Sequence, residues 1–167
     1  MPTERGLKPV PDAKPIAIAG TQYDETQGQF SPDTRWVAYT SNESGGDEVY
    51  VRPFPESGGK QRVSTGGGSQ PRWRTDGKEL FYIAAHARLM AVPISAAPQA
   101  RAVTVGAAVP LFATRLASGS AISLTGVNSR ALYAVAADGR FLMNTTIEAD
   151  RQPPIILVQN WQQLLKK

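Results

Sequence analysis

Residues 28–54, reading GQFSPDTRWVAYTSNESGGDEVYVRPF, return further along the chain in altered form, and this repetition restricts the fold more than any other feature. A small unit of this kind cannot bury its own apolar face, so a chain that repeats it must build its core by setting like units side by side. Within the unit, a short strand ends in the turn Ser31-Pro32-Asp33-Thr34. The run Trp36-Val-Ala-Tyr-Thr-Ser41 is rich in aromatic and β-branched residues, as is Val49-Tyr-Val51, which predicts two strands. Between them Asn42-Glu-Ser-Gly-Gly-Asp47 carries turn chemistry, so the pair reads as an antiparallel hairpin. A second turn over 54–59 lets 60–64 run back as a fourth short strand.

The copies keep a register. Phe30, Asp33 and Tyr39 recur as Trp73, Asp76 and Tyr82, each 43 residues on, and a weaker third copy places Val135, Asp138 and Phe141 in the corresponding positions, with Asp138 lying 62 beyond Asp76. An insertion at 113–128 precedes that third copy. Asp followed by Gly suits a tight turn, because the carboxylate accepts backbone N–H groups while Gly tolerates positive φ. Asp76-Gly77 and Asp138-Gly139 follow this rule, and Thr34 breaks it, so the first turn has either another geometry or some strain. The expected fold class is all-β, with about three four-stranded antiparallel propeller blades per chain at 28–66, 67–112 and 123–162.

Composition narrows the class further. With 41% apolar and 19% charged residues, 15 Gly and 13 Pro in 167 residues, the chain suits one turn-rich β domain. No apolar run approaches the roughly 20 residues of a membrane span, and the first residues lack the layout of a signal peptide, so the chain as written is read as cytoplasmic, or as extracytoplasmic if it belongs to a longer parent. There is no Cys, hence no disulfide framework or thiolate chemistry. A net charge of +4 is spread among acidic residues, and the nearest nucleic-acid motif, Arg72-Trp73-Arg74, puts both arginines on one strand face and the Trp on the other. We therefore expect neither a nucleic-acid nor a membrane partner. Residues 1–15 carry four prolines and no apolar period, and read as a flexible arm before the strand-like run 16–19.

The block FSPDTRWVAYTSNESGGDEVYVRPFP, with STGGGSQPRWRTDGKELFYI and the closing PPIILVQNW, resembles the TolB-type β-propeller repeat. The version it is most similar to lies at the carboxyl end of bacterial serine/threonine protein kinases. The resemblance covers roughly residues 16–162 and implies four-stranded blades around a channel, used as a binding platform. Thr34 in place of Gly and the degenerate third copy depart from the pattern. The kinase signatures themselves are missing, with no Gly-rich loop followed by a strand Lys, no His-Arg-Asp and no Asp-Phe-Gly. Three blades cannot close a ring, and the third lacks an outer strand while 16–19 is a strand without a blade. The expectation is a homodimer forming a six-bladed ring, with 16–19 of one chain completing the third blade of the other; a fragment of a longer propeller, or an open array with capped edges, is the alternative.

Function follows less directly. We expect a non-enzymatic interaction or sensing module that binds a protein, a peptide or a small polar ligand at the channel mouth, the alternative being an accessory propeller that supports or gates a hydrolase encoded elsewhere. Loops entering the innermost strands open at that mouth, here 24–27, 69–72 and 128–130, and Glu25, Gln27, Gln70 and Arg72 are the candidate binding residues. No catalytic residue, metal ligand or cofactor is expected. Gly66-Gly-Gly-Ser-Gln70 has no following Lys-Ser/Thr and reads as a connector; His86 reads as a turn residue; Glu43, Asp47 and Glu48 lack calcium-loop spacing and read as a solvated hairpin tip. Asn42-Glu-Ser44 and Asn144-Thr-Thr146 match the glycosylation pattern, which matters only in a eukaryotic secretory setting. Trp36, Trp73, Phe81 and Tyr82 are assigned to packing.

Overall fold

The computed structural model describes residues 14–55, 58–116, 131–145 and 155–158. They form an all-β structure of three antiparallel sheets, none of them closed. The first is the meander β1 (Glu25–Phe30), β2 (Trp36–Ser41), β3 (Glu48–Pro53) and β4 (Gln61–Arg62), in that spatial order. The second runs β5 (Gly68–Trp73), β6 (Glu79–Ala84) and β7 (Arg88–Ser95). Along β7 lie two partners instead of one: β8 (Thr104–Val105) pairs with Ile94 and Ser95, and β9 (Val109–Ala113) pairs with Arg88 to Ala91. The four strands expected at 67–112 are therefore five. The third sheet holds β10 (Tyr133–Val135), β11 (Phe141–Asn144) and β12 (Ile155–Val158).

Each β-hairpin that opens a sheet turns on the same aspartate. Asp33, Asp76 and Asp138 each accept, through Oδ1, the backbone N–H two residues on, from Arg35 at 3.2 Å, Lys78 at 3.0 Å and Arg140 at 3.2 Å. The residue after each aspartate stands at positive φ, namely Thr34 at 59°, Gly77 at 70° and Gly139 at 83°. Thr34 thus adopts the glycine geometry and bears its cost, so of the two outcomes open in the sequence the strained one holds. The third turn is shorter by one residue. Backbone closure joins Ser31 N to Trp36 O and Arg74 N to Glu79 O, but Ala136 N to Arg140 O. Phe141 consequently faces Val135 as Leu80 faces Trp73 and Val37 faces Phe30, which makes it the counterpart of Val37 and Leu80 and not of Tyr39 and Tyr82.

Successive sheets pack face to face. Leu80 and Tyr82 of β6 meet Trp36 and Ala38 of the first sheet in one core cluster, and Phe141 and Met143 of β11 meet Phe81 and Ile83 of the second in another. Phe81 and Phe141 cross edge to face at 4.9 Å, the geometry that ring quadrupoles favour. By the same register Val37 and Tyr39 form the leading face of the first sheet. That face, with Tyr50, is only 3–5% exposed. Residues 16–19 form no strand in this chain; Ile18 and Ala19 lie with Phe54 against this leading face. This segment covers the leading face.

Candidate functional site

The first strands of two sheets, β1 and β5, carry the same irregularity at the same place. A bulge separates Thr26 from Gln29 in one and Ser69 from Arg72 in the other, and in each the residue after the bulge's first pair is a glutamine at positive φ, Gln27 at 59° and Gln70 at 57°. Such a backbone is costly for a residue with a Cβ, and hydrogen bonding compensates it. The Gln27 Oε1 accepts the backbone N–H of Gln70 at 2.7 Å and the Thr40 hydroxyl at 2.9 Å. Gln70 reaches one sheet further in the same manner, its Oε1 accepting the N–H of Leu132 at 3.2 Å, while its carbonyl accepts the Tyr133 hydroxyl at 2.9 Å. Each glutamine therefore links its own sheet to the next, at the 43- and 62-residue intervals of the repeat.

Two of the four expected binding residues are thus engaged within the fold, and Gln70 is buried. Arg72 points the same way: its Nη1 donates to the Pro71 carbonyl at 2.8 Å, its Nε to the Tyr133 carbonyl at 3.3 Å, and its guanidinium lies 5.8 Å from the Tyr133 ring centre. Burial lowers the pKa of this group, and its electrostatic interaction with the Tyr133 phenol partly opposes that. Burial also pushes the Tyr133 phenol up. Glu25, half-buried at the start of β1, accepts the Thr21 hydroxyl. The expected loop at 128–130 lies outside the described residues.

Beside these residues, at the end where β1 and β5 begin, is a cleft of about 500 Å³. One wall is the β2–β3 tip, Ser44 to Glu48; the other is the Gly66–Ser69 connection; Ile83, Ala84 and Ala85 at the end of β6 form the floor. Its walls are tied together by the chain itself. Gly68 N donates to the Asp47 carbonyl at 2.8 Å, and Gly67 N donates to the Glu48 carboxylate at 3.0 Å. The other Glu48 oxygen takes the Ser64 hydroxyl, whose own oxygen accepts the N–H of Val49 at 2.8 Å. Asp24 and Asn42 exchange two hydrogen bonds of 3.0 Å at the rim, backbone N–H to Oδ1 and amide to carboxylate. With the amides of Gly67, Gly68 and Gln70 all donating to protein acceptors, the glycine run offers no free row of donors to a phosphate.

Asp47 is the exception in this network. Among the described residues its carboxylate meets neither a hydrogen-bond donor nor a cation, and no Lys, Arg or His lines the cleft. Burial raises its pKa above the ordinary value, and the neighbouring Asp24 and Glu48 carboxylates push in the same direction. Lys60 is paired with Glu43. Among the described residues no group of three or more His, Asp or Glu side chains could hold a metal ion, and no helix is long and apolar enough to cross a membrane. His86 sits exposed in a short 3₁₀ turn at φ 58°, as a turn residue, and Trp36, Trp73, Phe81 and Tyr82 are in the core.

The sequence reading put its candidate binding residues on the loops at 24–27, 69–72 and 128–130 and did not single out the cleft beside Asp47. The available signal was positional: 42–47 and 66–68 fall at the same end of two adjacent meanders, so their turn residues face each other across one opening. The sequence matches no protein-family model, and no curated protein matches it.

Proposed function

We propose that the chain is a propeller-type interaction or sensing module that binds a protein or peptide segment, or a small polar ligand, in the cleft between the β2–β3 tip and the Gly66–Ser69 connection, without catalysing a reaction. The TolB-type resemblance of the repeats and the face-to-face stacking of successive meanders support the propeller reading. In that reading a second copy completes the ring. The observation that carries the binding role is the cleft itself: a concavity of about 500 Å³ with an apolar floor and a single unengaged carboxylate, within the roughly 300–1,000 Å³ of ordinary ligand sites. Panning a random peptide library on the immobilised chain tests it. Enriched peptides should lose binding when Ser44 and Gly46 on the β2–β3 tip are replaced by Trp, and keep it when Thr75 at the opposite end is. Binding that survives filling of the cleft, or no enrichment at all, rejects the reading.

A further inference from the structure

We infer that the cleft selects a cationic side chain, a Lys or Arg of a peptide, whose alkyl stem lies on Ala84 and Ala85 and whose charged head meets the Asp47 carboxylate. This rests on the proposed binding role and specifies its ligand. Three features of the cleft converge on that chemistry. Its floor is apolar and takes a methylene chain, since Ala84 and Ala85 at the end of β6 line it with methyl groups and bring no charge. Its walls are formed by Gly45, Gly46, Gly66 and Gly67, and a Cβ built at Gly45, Gly46 or Gly66 meets no atom within 4 Å, so the approach to the carboxylate is unobstructed. Its charge is negative without a counter-ion in a chain whose net charge is +4, because Asp47 and Glu48 line it, Asp24 stands close, and the nearby Lys60 is already paired with Glu43.

The three carboxylates are not equivalent. Glu48 is held by the Ser64 hydroxyl and the Gly67 amide, and Asp24 by Asn42, so both are committed to the walls. Asp47 alone has its carboxylate turned to no partner, half-buried, where a desolvated charge is most in need of one. A long cationic side chain satisfies both surfaces at once, burying its stem while its head remains at the polar rim. An acidic ligand would meet like charge, and a small metal ion would leave the apolar floor without a function.

The test uses the whole chain, labelled with ¹⁵N, and three blocked pentapeptides that differ at the central residue: Ala-Ala-Lys-Ala-Ala, its norleucine analogue and its Glu analogue. The Lys peptide should shift the amides of Asp47, Gly67 and Ser69 saturably, the norleucine peptide should bind at least tenfold more weakly, and the Glu peptide should leave the spectrum unchanged. Asp47→Asn, which keeps the carbonyl that accepts Gly68 N–H, should reduce Lys-peptide affinity about tenfold without altering that of the norleucine peptide. Equal affinity for the Lys and norleucine peptides would overturn the inference and leave the proposed peptide cleft standing. If no peptide of any charge, including those selected by panning, moves these amides, both fall. Saturable shifts with calcium chloride and none with the Lys peptide would overturn the inference in favour of a metal site.

Discussion

Thr34 shows how a repeat tolerates a poor residue. It stands where Gly77 and Gly139 stand in the other two turns, with φ at 59° and its N–H donating to the Ser31 carbonyl at 2.9 Å, so the turn closes as it does with glycine. A β-branched side chain there costs about 1–2 kcal/mol, and glycine returns about 0.5–1 of that through unfolded-state entropy. Thr34→Gly should therefore raise the melting temperature by about 2 °C, measured by calorimetry; a lower value would show that the threonine side chain supports the turn. Asp76 presents the electrostatic counterpart. The Arg74 guanidinium, donating to both of its oxygens at 2.6 and 2.8 Å, holds its pKa down to about 2 despite slight burial. Because the folded value lies below the ordinary 3.8, the pair contributes stability above that value and loses it as pH falls through about 2. Carboxyl NMR should find Asp76 titrating near 2, and Arg74→Ala should return it toward 3.8. Asp47 has the opposite sign. Its raised pKa means the ionised form subtracts stability at neutral pH, a penalty that disappears as pH falls below 3.8. Asp47→Asn should thus melt a degree or so higher at pH 7, about the size of a partly exposed charge effect, with the difference closing toward pH 3.

At the scale of elements, the bulged strands β1 and β5 decide how one sheet addresses the next. Gln27 and Gln70 accept strain in their own backbone and in return place an acceptor against the following strand. Substituting Gln70 by glycine sets the two effects against each other. Relief of positive φ gains about 1 kcal/mol, while the lost side chain leaves the Leu132 N–H without its acceptor and opens a void, about 2–4 kcal/mol. The variant should be destabilised in urea titration by about 1–3 kcal/mol; a stabilised variant would mean that strain dominates. This contest also marks the limit of what was legible. The β2–β3 hairpin and the Asp turns could be read because each depends on residues near in sequence, as with Asp76 and Lys78, whereas the register of the third copy was misread because its turn is one residue shorter. Gln27 and Gln70 lie 43 residues apart and were visible as a pair, yet nothing in the residue type distinguishes a glutamine facing solvent from one bonded to the next sheet. For the same reason the division of β7 between β8 and β9 was missed: several alanines and short apolar runs fit either one long partner or two short ones. Asp47 was read as a solvated tip because the wall opposite it, Gly66–Ser69, comes from another hairpin.

For the whole molecule, the question is what stands before the first sheet. Leu80 and Tyr82 pack on the sheet before them, and so do Phe141 and Met143, whereas among the described residues their counterparts Val37 and Tyr39 meet no sheet and are covered by Ile18, Ala19 and Phe54. The leading face is built like the two inter-sheet faces but is closed by a short segment of the same chain. In the proposed two-copy ring this face is also the seam, the place where the partner's third sheet arrives; the segment at 16–19, expected as an outer strand of that partner sheet, here pairs with no strand and lies on the face of its own chain. Ring closure then requires the segment to take its place between the two chains, not merely to cover Tyr39 and Tyr50. Light scattering behind size exclusion should give twice the 17.9 kDa of one chain at micromolar concentration. Ile18→Asp, which alters the segment without touching a strand, should lower the dimer fraction while leaving the core signal of the buried tryptophans unchanged. A monomeric wild-type chain ends the ring, and a dimer fraction that rises with Ile18→Asp would show that the segment competes with the partner for the leading face instead of joining it.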